Sequence, residues 1–341
     1  MTFSRPARLA AGLLTAGLVA AACSSAPSSS SDAKSSGGAA VTAATLSKVT
    51  LRVGDQAGTG AEALLTAAGL INKLPFKVAW SDFPSGPPIL QAMAAGSLDI
   101  GGVGDAPPVF AAAAGDQIAI VGALLGNPLA AAVVVPKGSP IHSVAQLRGQ
   151  KIAVAEGSSG DYHLLAVLKQ AGLTPKDATL DYLQPTEALP AFASGHVAAW
   201  DIWSPYIEEV TAQDGARILV NGSSIGTTYS FEVASRAALA DPAKAAAIKD
   251  YIKLINQAHA WANTHLQAWA TVWGKATGLP YSIMIKAAAD DTEHAVPISS
   301  TVINSEQQIT DDFYSAGLIP AKVDFANFSD TSFNSVVGGS S

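Results

Sequence analysis

The stretch "FPSGPPILQAMAAGSLDIGGVGDAPPVFAAAAG" (residues 83–115) builds the same junction twice. A run that reads as a strand ends, the chain turns on Gly, two prolines follow and a helix begins. This happens at "SGPP" (85–88) and again at "GDAPP" (104–108). Proline costs little at the first helical positions, because its missing N–H would be unpaired there anyway. Glycine lets a ligand approach the backbone. A helix N-terminus leaves N–H groups unpaired and carries a partial positive charge, so it is a ready anion site. "EGSSGDYHLL" (156–165) supplies a third junction, with Ser158, Ser159 and Gly160 leading into a helix. A Ser before a helix also serves as an ordinary N-cap, and strand–Gly–helix turns are common. It is the joint occurrence, with at least one junction in each half of the chain, that predicts a clamp around a small anion.

The surrounding pattern is βα. Strands are predicted at 48–56, 76–83, 99–104, 117–125 and 178–185, with helices at 59–71, 87–98, 106–115 and 186–195 between or after them. A buried strand lies in 129–140. Helix, strand, Gly-Ser turn and helix follow over 143–173, and "HVAAWDIWSPYIEEV" (196–210) runs from strand into helix. "ARILVNGSS" and "YSFEVASR" read as two more strands. Alternation at this spacing means an α/β fold with a largely parallel sheet. The C-terminal part changes character: Ile248, Ile252, Ile255, Ala262, Leu266, Trp269 and Trp273 recur at helical spacing over 245–273, which predicts one long amphipathic helix packed back on the first unit. Further helical segments lie near 280–290 and 301–317.

Of 341 residues, 49% are hydrophobic and 14% charged, enough for a sizeable core in two domains or one two-lobed unit. Arg5 and Arg8, an apolar run and small residues make residues 1–22 a secretory signal peptide. Cys23, the only cysteine, follows at once and resembles the lipid-attachment Cys of a bacterial lipobox, although Ala20 stands where that pattern prefers Leu. A Ser-rich polar tether runs to about residue 47. Multiple acyl chains anchor stably where one does not. Without residues 1–22 the net charge of −7 becomes −9, a poor basis for binding nucleic acid. A single cysteine excludes disulfides, cysteine metal sites and a cysteine nucleophile in the mature fold. The six histidines show no metal spacing, and His163 reads as a rim residue. No G-x-S-x-G, P-loop or G-x-G-x-x-G opening a helix is present. Trp203 is the candidate cover for an apolar ligand tail, with Trp200 as packing.

These motifs, with "VVPKGSPIHSVAQLRGQKIAVAEGSS", "YLQPTEALPAFASGHVAAWDIWSPY" and "SSTVINSEQQITDDFYSAGLIP", resemble ABC-transporter substrate-binding proteins of the nitrate/taurine/sulfonate class, and among them the aliphatic sulfonate-binding branch. The resemblance runs from about 48 to 320. It implies a two-lobed periplasmic-binding-protein fold of type II, each lobe a mixed sheet flanked by helices, with an added C-terminal helical region. Lobe 1 would comprise 48–132 and 234–330, lobe 2 would be 133–233, the crossovers would lie near 130–136 and 229–236, and 331–341 would be a frayed tail. It further implies a monomer, lipid-anchored outside the cytoplasmic membrane, that delivers a small organic anion to a permease driven by an ATPase. No cofactor and no metal are implied. Carried over by position, the ligand contacts are Gln56, Ser85, Gly86, Gly104, Asp105, Ser158, Ser159 and Trp203. Asp105 would repel an anion, so it is assigned to capping its helix or to a polar group on the ligand tail. The acidic residues that the family often places at 198 and 204 are absent here, where Asp201 is acidic, and the family's His after the Ser turn is Asp161. The ligand stays open among a sulfonate, taurine, nitrate, sulfate, an arylsulfonate and a larger organosulfur compound. A sensor role also stays open. An enzyme on this fold, like the pyrimidine synthases of thiamine biosynthesis, would need the Cys-rich motif that the mature chain lacks.

Overall fold

The computed structural model describes residues 41–56, 60–226 and 228–337. The signal peptide, Cys23 and most of the tether lie outside the described residues. The end of the tether is ordered: Ala43–Leu46 form one helical turn capped by the Thr42 hydroxyl. Among the described residues no helix is long and apolar enough to cross a membrane.

Among the described residues eleven strands form two sheets. They are β1 (Thr50–Gln56), β2 (Lys77–Phe83), β3 (Ile100–Gly104), β4 (Ile118–Gly126), β5 (Ala131–Val135), β6 (Lys151–Val154), β7 (Thr179–Tyr182), β8 (Ala199–Trp203), β9 (Arg217–Asn221), β10 (Thr228–Ser235) and β11 (Glu293–Val296). The first lobe's sheet has the order β11-β4-β10-β3-β1-β2, the second lobe's β7-β6-β8-β5-β9. In the first, β1, β2 and β3 are parallel, while β10 and β11 run antiparallel to their neighbours. In the second, β6, β7 and β8 are parallel and β5 is antiparallel to both neighbours. The sheets are therefore mixed. βα alternation reveals only the parallel part, because the antiparallel strands are those on which the chain changes lobe or returns.

The return strand also moves a lobe boundary. β10 lies wholly in the first sheet, between β3 and β4, so the chain crosses back over 222–227, before the expected 229–236. The outward crossing is at 127–130, since β5 already belongs to the second sheet. Two apolar strands in succession carry no local mark of which sheet each joins.

Helices cover both faces of the first sheet. One face holds Leu51, Val53 and Val121 against Ile248, Ile252 and Ile255 of the C-terminal region. The other holds Val103 and Ile120 against Ile89 and Val109 of the two Pro-Pro helices and Ile309 and Phe313 of the helix Ser300–Ala316. The second lobe has its own apolar clusters around Trp200 and around Val154 and Leu168. The expected single helix over 245–273 is two, Pro242–Thr264 and Leu266–Thr277, broken at His265 with φ −127 and ψ 43. The apolar stripe continues across the break because Trp269 and Trp273 face the same core as Ile255, so periodicity could not reveal it. The tail is also ordered in part: Thr331–Val336 form a 3-10 helix that buries Phe333, with the Lys249 ammonium 5.3 Å from its ring centroid.

Candidate functional site

A cavity of about 220 Å³ opens where the lobes face one another. It lies beyond the carboxyl ends of β1, β3 and β8, where ligands of open α/β sheets bind. Gln56, Gly86, Gly104, Asp105 and Pro107 line it from the first lobe, and Ser158, Ser159, His163 and Trp203 from the second.

The helix starts are built as the sequence predicts, and each cap has its own chemistry. The helix Gly86–Ala94 has Pro at its first positions and no side-chain cap. A Cβ on Gly86 would stand 2.8 Å from Pro107 Cγ, so glycine is what lets the two Pro-Pro helices pack together at the cleft. The helix Ala106–Ala114 is capped by Asp105, whose carboxylate accepts from the Ala106 N–H at 2.8 Å. Asp105 is buried, and burial pushes its pKa up to about 6. The helix Ser159–Gln170 is capped by Ser158, whose hydroxyl accepts from the Asp161 N–H at 3.3 Å and donates to the Ala155 carbonyl at 2.6 Å. The Asp161 carboxylate accepts from the Gly157 N–H at 2.9 Å, and burial raises it to about 7. The Ser158 hydroxyl is thus committed to its cap, and what this helix offers the cleft is the N–H group of Ser159, which has no intrahelical acceptor.

The lobes touch at the rim. The Asp105 N–H donates to Ser159 Oγ at 3.1 Å, across the cleft. Gly104 sits beside this bond, and a Cβ there would lie 1.9 Å from Ser159 Oγ. Ser85 departs from the expectation. It is fully buried, does not line the cavity, and donates its hydroxyl to Gln184 Oε1 of the second lobe at 2.7 Å. It bridges the lobes instead of facing the space between them. The Gln56 amide lines the cavity and donates to the Gly102 carbonyl at 3.2 Å. Trp203 lines the cavity half-buried, whereas Trp200 is fully buried against Phe192 and Tyr206.

His163 is not on the rim. It is buried, and its Nδ1 lies 2.7 Å from Asp201 Oδ2, itself fully buried. Burial alone would lower the His163 pKa; the Asp201 carboxylate more than offsets this and holds it above the ordinary value. The pair fixes the His163 ring behind the Ser159 turn. Its sequence signal is the four-residue spacing from Ser159, which puts both on one helix face.

A second set of groups has no counterpart among the predicted residues. Asp55, Glu232, His259, Asp291 and Glu293 line the first-lobe side of the same cavity. Asp55 ends β1 and accepts from the N–H groups of Gln56, Ala61 and Glu62 at 3.0, 2.8 and 3.1 Å, capping the helix Ala61–Ala67. Gly60 makes room for that cap, since a Cβ there would lie 2.3 Å from Asp55 Oδ2. A lone Glu in the apolar run "YSFEVASR" was the signal for Glu232.

The family described as NMT1/THI5 like matches residues 84–265. A protein named for aliphatic sulfonate binding in Escherichia coli (strain K12) is 36% identical over 83% of this chain and 89% of its own length. One named likewise in Bacillus subtilis (strain 168) is 33% identical over 75% of this chain and 77% of its own. Among solved structures, the alkanesulfonate-binding protein SsuA of Xanthomonas axonopodis pv. citri, bound to MOPS, superposes with a TM-score of 0.78 at 34% identity, over 82% of this chain and 98% of that one. With the two mixed sheets and the cavity between them, these matches show that the chain belongs to the NMT1/THI5-like family, in the group that holds the aliphatic sulfonate-binding proteins.

Proposed function

We propose that this protein is the extracytoplasmic substrate-binding component of an ABC importer, lipid-anchored through Cys23, and that it captures a small organosulfonate between its lobes for delivery to the permease. The reading assigns no reaction to the site. One observation carries it: a single cavity joins helix-start donors to an apolar wall. The Ser159 N–H group at the helix start, with the His163–Asp201 pair behind it, suits an anionic head. Leu64, Leu124, Ile225, Phe231 and Ile255 suit an aliphatic tail. The acidic net charge cannot steer an anion from afar, and such steering is screened beyond about 8 Å at physiological salt. Affinity on this reading comes from donors at contact distance. Sulfate and nitrate offer the head without the tail.

A thermal-shift panel tests the reading. A ligand at a hundred times its dissociation constant stabilises by about 2.7 kcal/mol, and each kcal/mol moves the midpoint of a chain this large by roughly 2–4 °C. Short alkanesulfonates are expected to raise the midpoint by about 5–10 °C, and sulfate and nitrate to leave it in place. An equal response to sulfate or nitrate would contradict the role given to the apolar wall.

A further inference from the structure

A sulfonate brings a full negative charge into a cavity that has little to balance it. Among the described residues no Lys or Arg lines the space, while Asp55, Asp105, Glu232, Asp291 and Glu293 do. The remaining side chains that can carry positive charge there are two histidines, His163 and His259. His259 belongs to the first lobe and lies 3.4 Å from a Glu293 carboxylate oxygen. Burial lowers its pKa, so it is a poor cation. His163 belongs to the second lobe. It follows Ser159 by four residues on the helix Ser159–Gln170, so the two share a face.

The His163 ring is held from behind and unpaired in front. It is 1% exposed, and its Nδ1 is engaged by Asp201 of β8 at 2.7 Å. Its Nε2 has no hydrogen-bond partner. A buried polar atom left unpaired costs free energy unless a ligand supplies the partner. With Nδ1–H given to Asp201, a neutral ring shows Nε2 as a lone pair, which repels an anion. A protonated ring shows Nε2–H, which binds one. The groups facing the ring favour the second form. Burial lowers its pKa, but Asp201, the Asn221 carbonyl at the end of β9 and Asp105 at the start of the helix Ala106–Ala114 more than offset this. Asp161, on the same helix as His163, interacts with Asp201 and adds to the negative field around the pair.

We propose that His163 contacts the anionic head and links its capture to a proton. The Ser159 N–H and His163 Nε2–H both donate to the head, and a ring that starts neutral takes up one proton from solvent as the anion arrives. The site gains one anion and one proton, and the bond from His163 Nδ1–H to Asp201 is kept throughout. This rests on the sulfonate reading above and adds what balances the charge of the head.

Titration calorimetry with ethanesulfonate and butanesulfonate between pH 6 and pH 9 tests it, because a sulfonate does not titrate in that range. Affinity is expected to weaken by up to about tenfold per pH unit above the pKa of the free ring. At pH 8, buffers of different ionisation heat are expected to show about one proton taken up per ligand bound. His163→Gln keeps an N–H donor near the place of Nε2 and does not titrate. It is expected to bind both sulfonates with the pH dependence and the proton uptake largely gone. Uptake that survives in this variant would belong to carboxyls such as Asp105 or Glu232 and overturns the inference, as does wild-type affinity that is flat across the range. Should the variant fold poorly, nitrogen NMR of histidine-labelled wild-type protein at pH 8 decides. Sulfonate is expected to turn one ring from singly to doubly protonated, and no change in any ring overturns the inference. Failure of both sulfonates to bind at any pH overturns the sulfonate reading and this inference with it.

Discussion

Gly104→Val is expected to weaken sulfonate binding by about a hundredfold while leaving the melting midpoint of the free protein within a few degrees. The only neighbours that a Cβ at 104 would meet belong to Ser159 of the opposite lobe: Oγ at 1.9 Å and Cβ at 3.1 Å. Turning the Ser159 hydroxyl away relieves the first contact but gives up its bond from the Asp105 N–H. The second contact remains, and valine adds two methyl groups to it. Chain neighbours aside, no first-lobe atom lies within 4 Å of that Cβ, so the first lobe's stability is spared. The penalty falls on bringing the lobes together. When the binding-competent state drops to about one part in a hundred, apparent affinity drops by the same factor. Titration calorimetry and thermal melts of the two proteins separate these effects. Unchanged affinity would mean that the ligand-bound lobes do not meet at this rim.

The free protein is expected to be more stable at pH 5.5 than at pH 8, by roughly 10–20 °C in midpoint. Burial raises a set of carboxyls above their ordinary range, among them Asp55 and Asp105 to about 6, Asp161 to about 7 and Glu232 to about 8. The folded chain holds these protons more tightly than the unfolded one. Their stabilisation is therefore present at low pH and is lost as pH rises through the folded values. Each such group costs the native state about 1.4 kcal/mol per pH unit between its unfolded and folded pKa. His163, held above its ordinary value, acts in the same sense. His259 and Asp99 act the other way. Burial lowers His259, which penalises acid. Asp99 lies below its ordinary range because bonds from Arg52 and Lys244 more than offset its burial, so its stabilisation is lost only as pH falls below about 4. Between pH 5.5 and 8 the raised carboxyls outweigh the one lowered histidine. Thermal melts across that range check the sign, and a midpoint that is flat or rises with pH would contradict it.

Local chemistry carried much of the fold. Gly-Pro helix starts, apolar strands and the stripe from Ile248 to Trp273 name most elements where they occur. What local chemistry cannot express is which strand pairs with which. β10 inserts between β3 and β4, more than a hundred residues earlier in the chain, and this alone resets the lobe boundary. β11 escaped notice because its four residues, Glu-His-Ala-Val, show little apolar alternation. Phe333 is buried because β4 and a helix ending at Thr264, both distant in sequence, present surfaces to its segment. In the site, backbone positions were legible and side-chain directions were not. Gly86, Gly104, Asp105, Ser158 and Ser159 meet at one cavity because helix starts beyond strand ends converge. Ser85 turns away because Gln184, distant in sequence, supplies its acceptor. The first-lobe carboxyls come from the end of β1, the middle of β10, the start of β11 and the segment before it, which no short motif joins.

The central claim is that a sulfonate occupies this cavity, and Trp203 can report it. Trp203 lines the cavity, while Trp200, Trp269 and Trp273 are buried in apolar cores. Fluorescence of the wild-type protein titrated with an aliphatic sulfonate, compared with Trp203→Phe in parallel, isolates that one ring. The expected result is a saturable change in the wild type that is lost in Trp203→Phe, while calorimetry still detects binding by the variant. Saturable binding by calorimetry with the same fluorescence change in both proteins would place the ligand elsewhere and contradict the account.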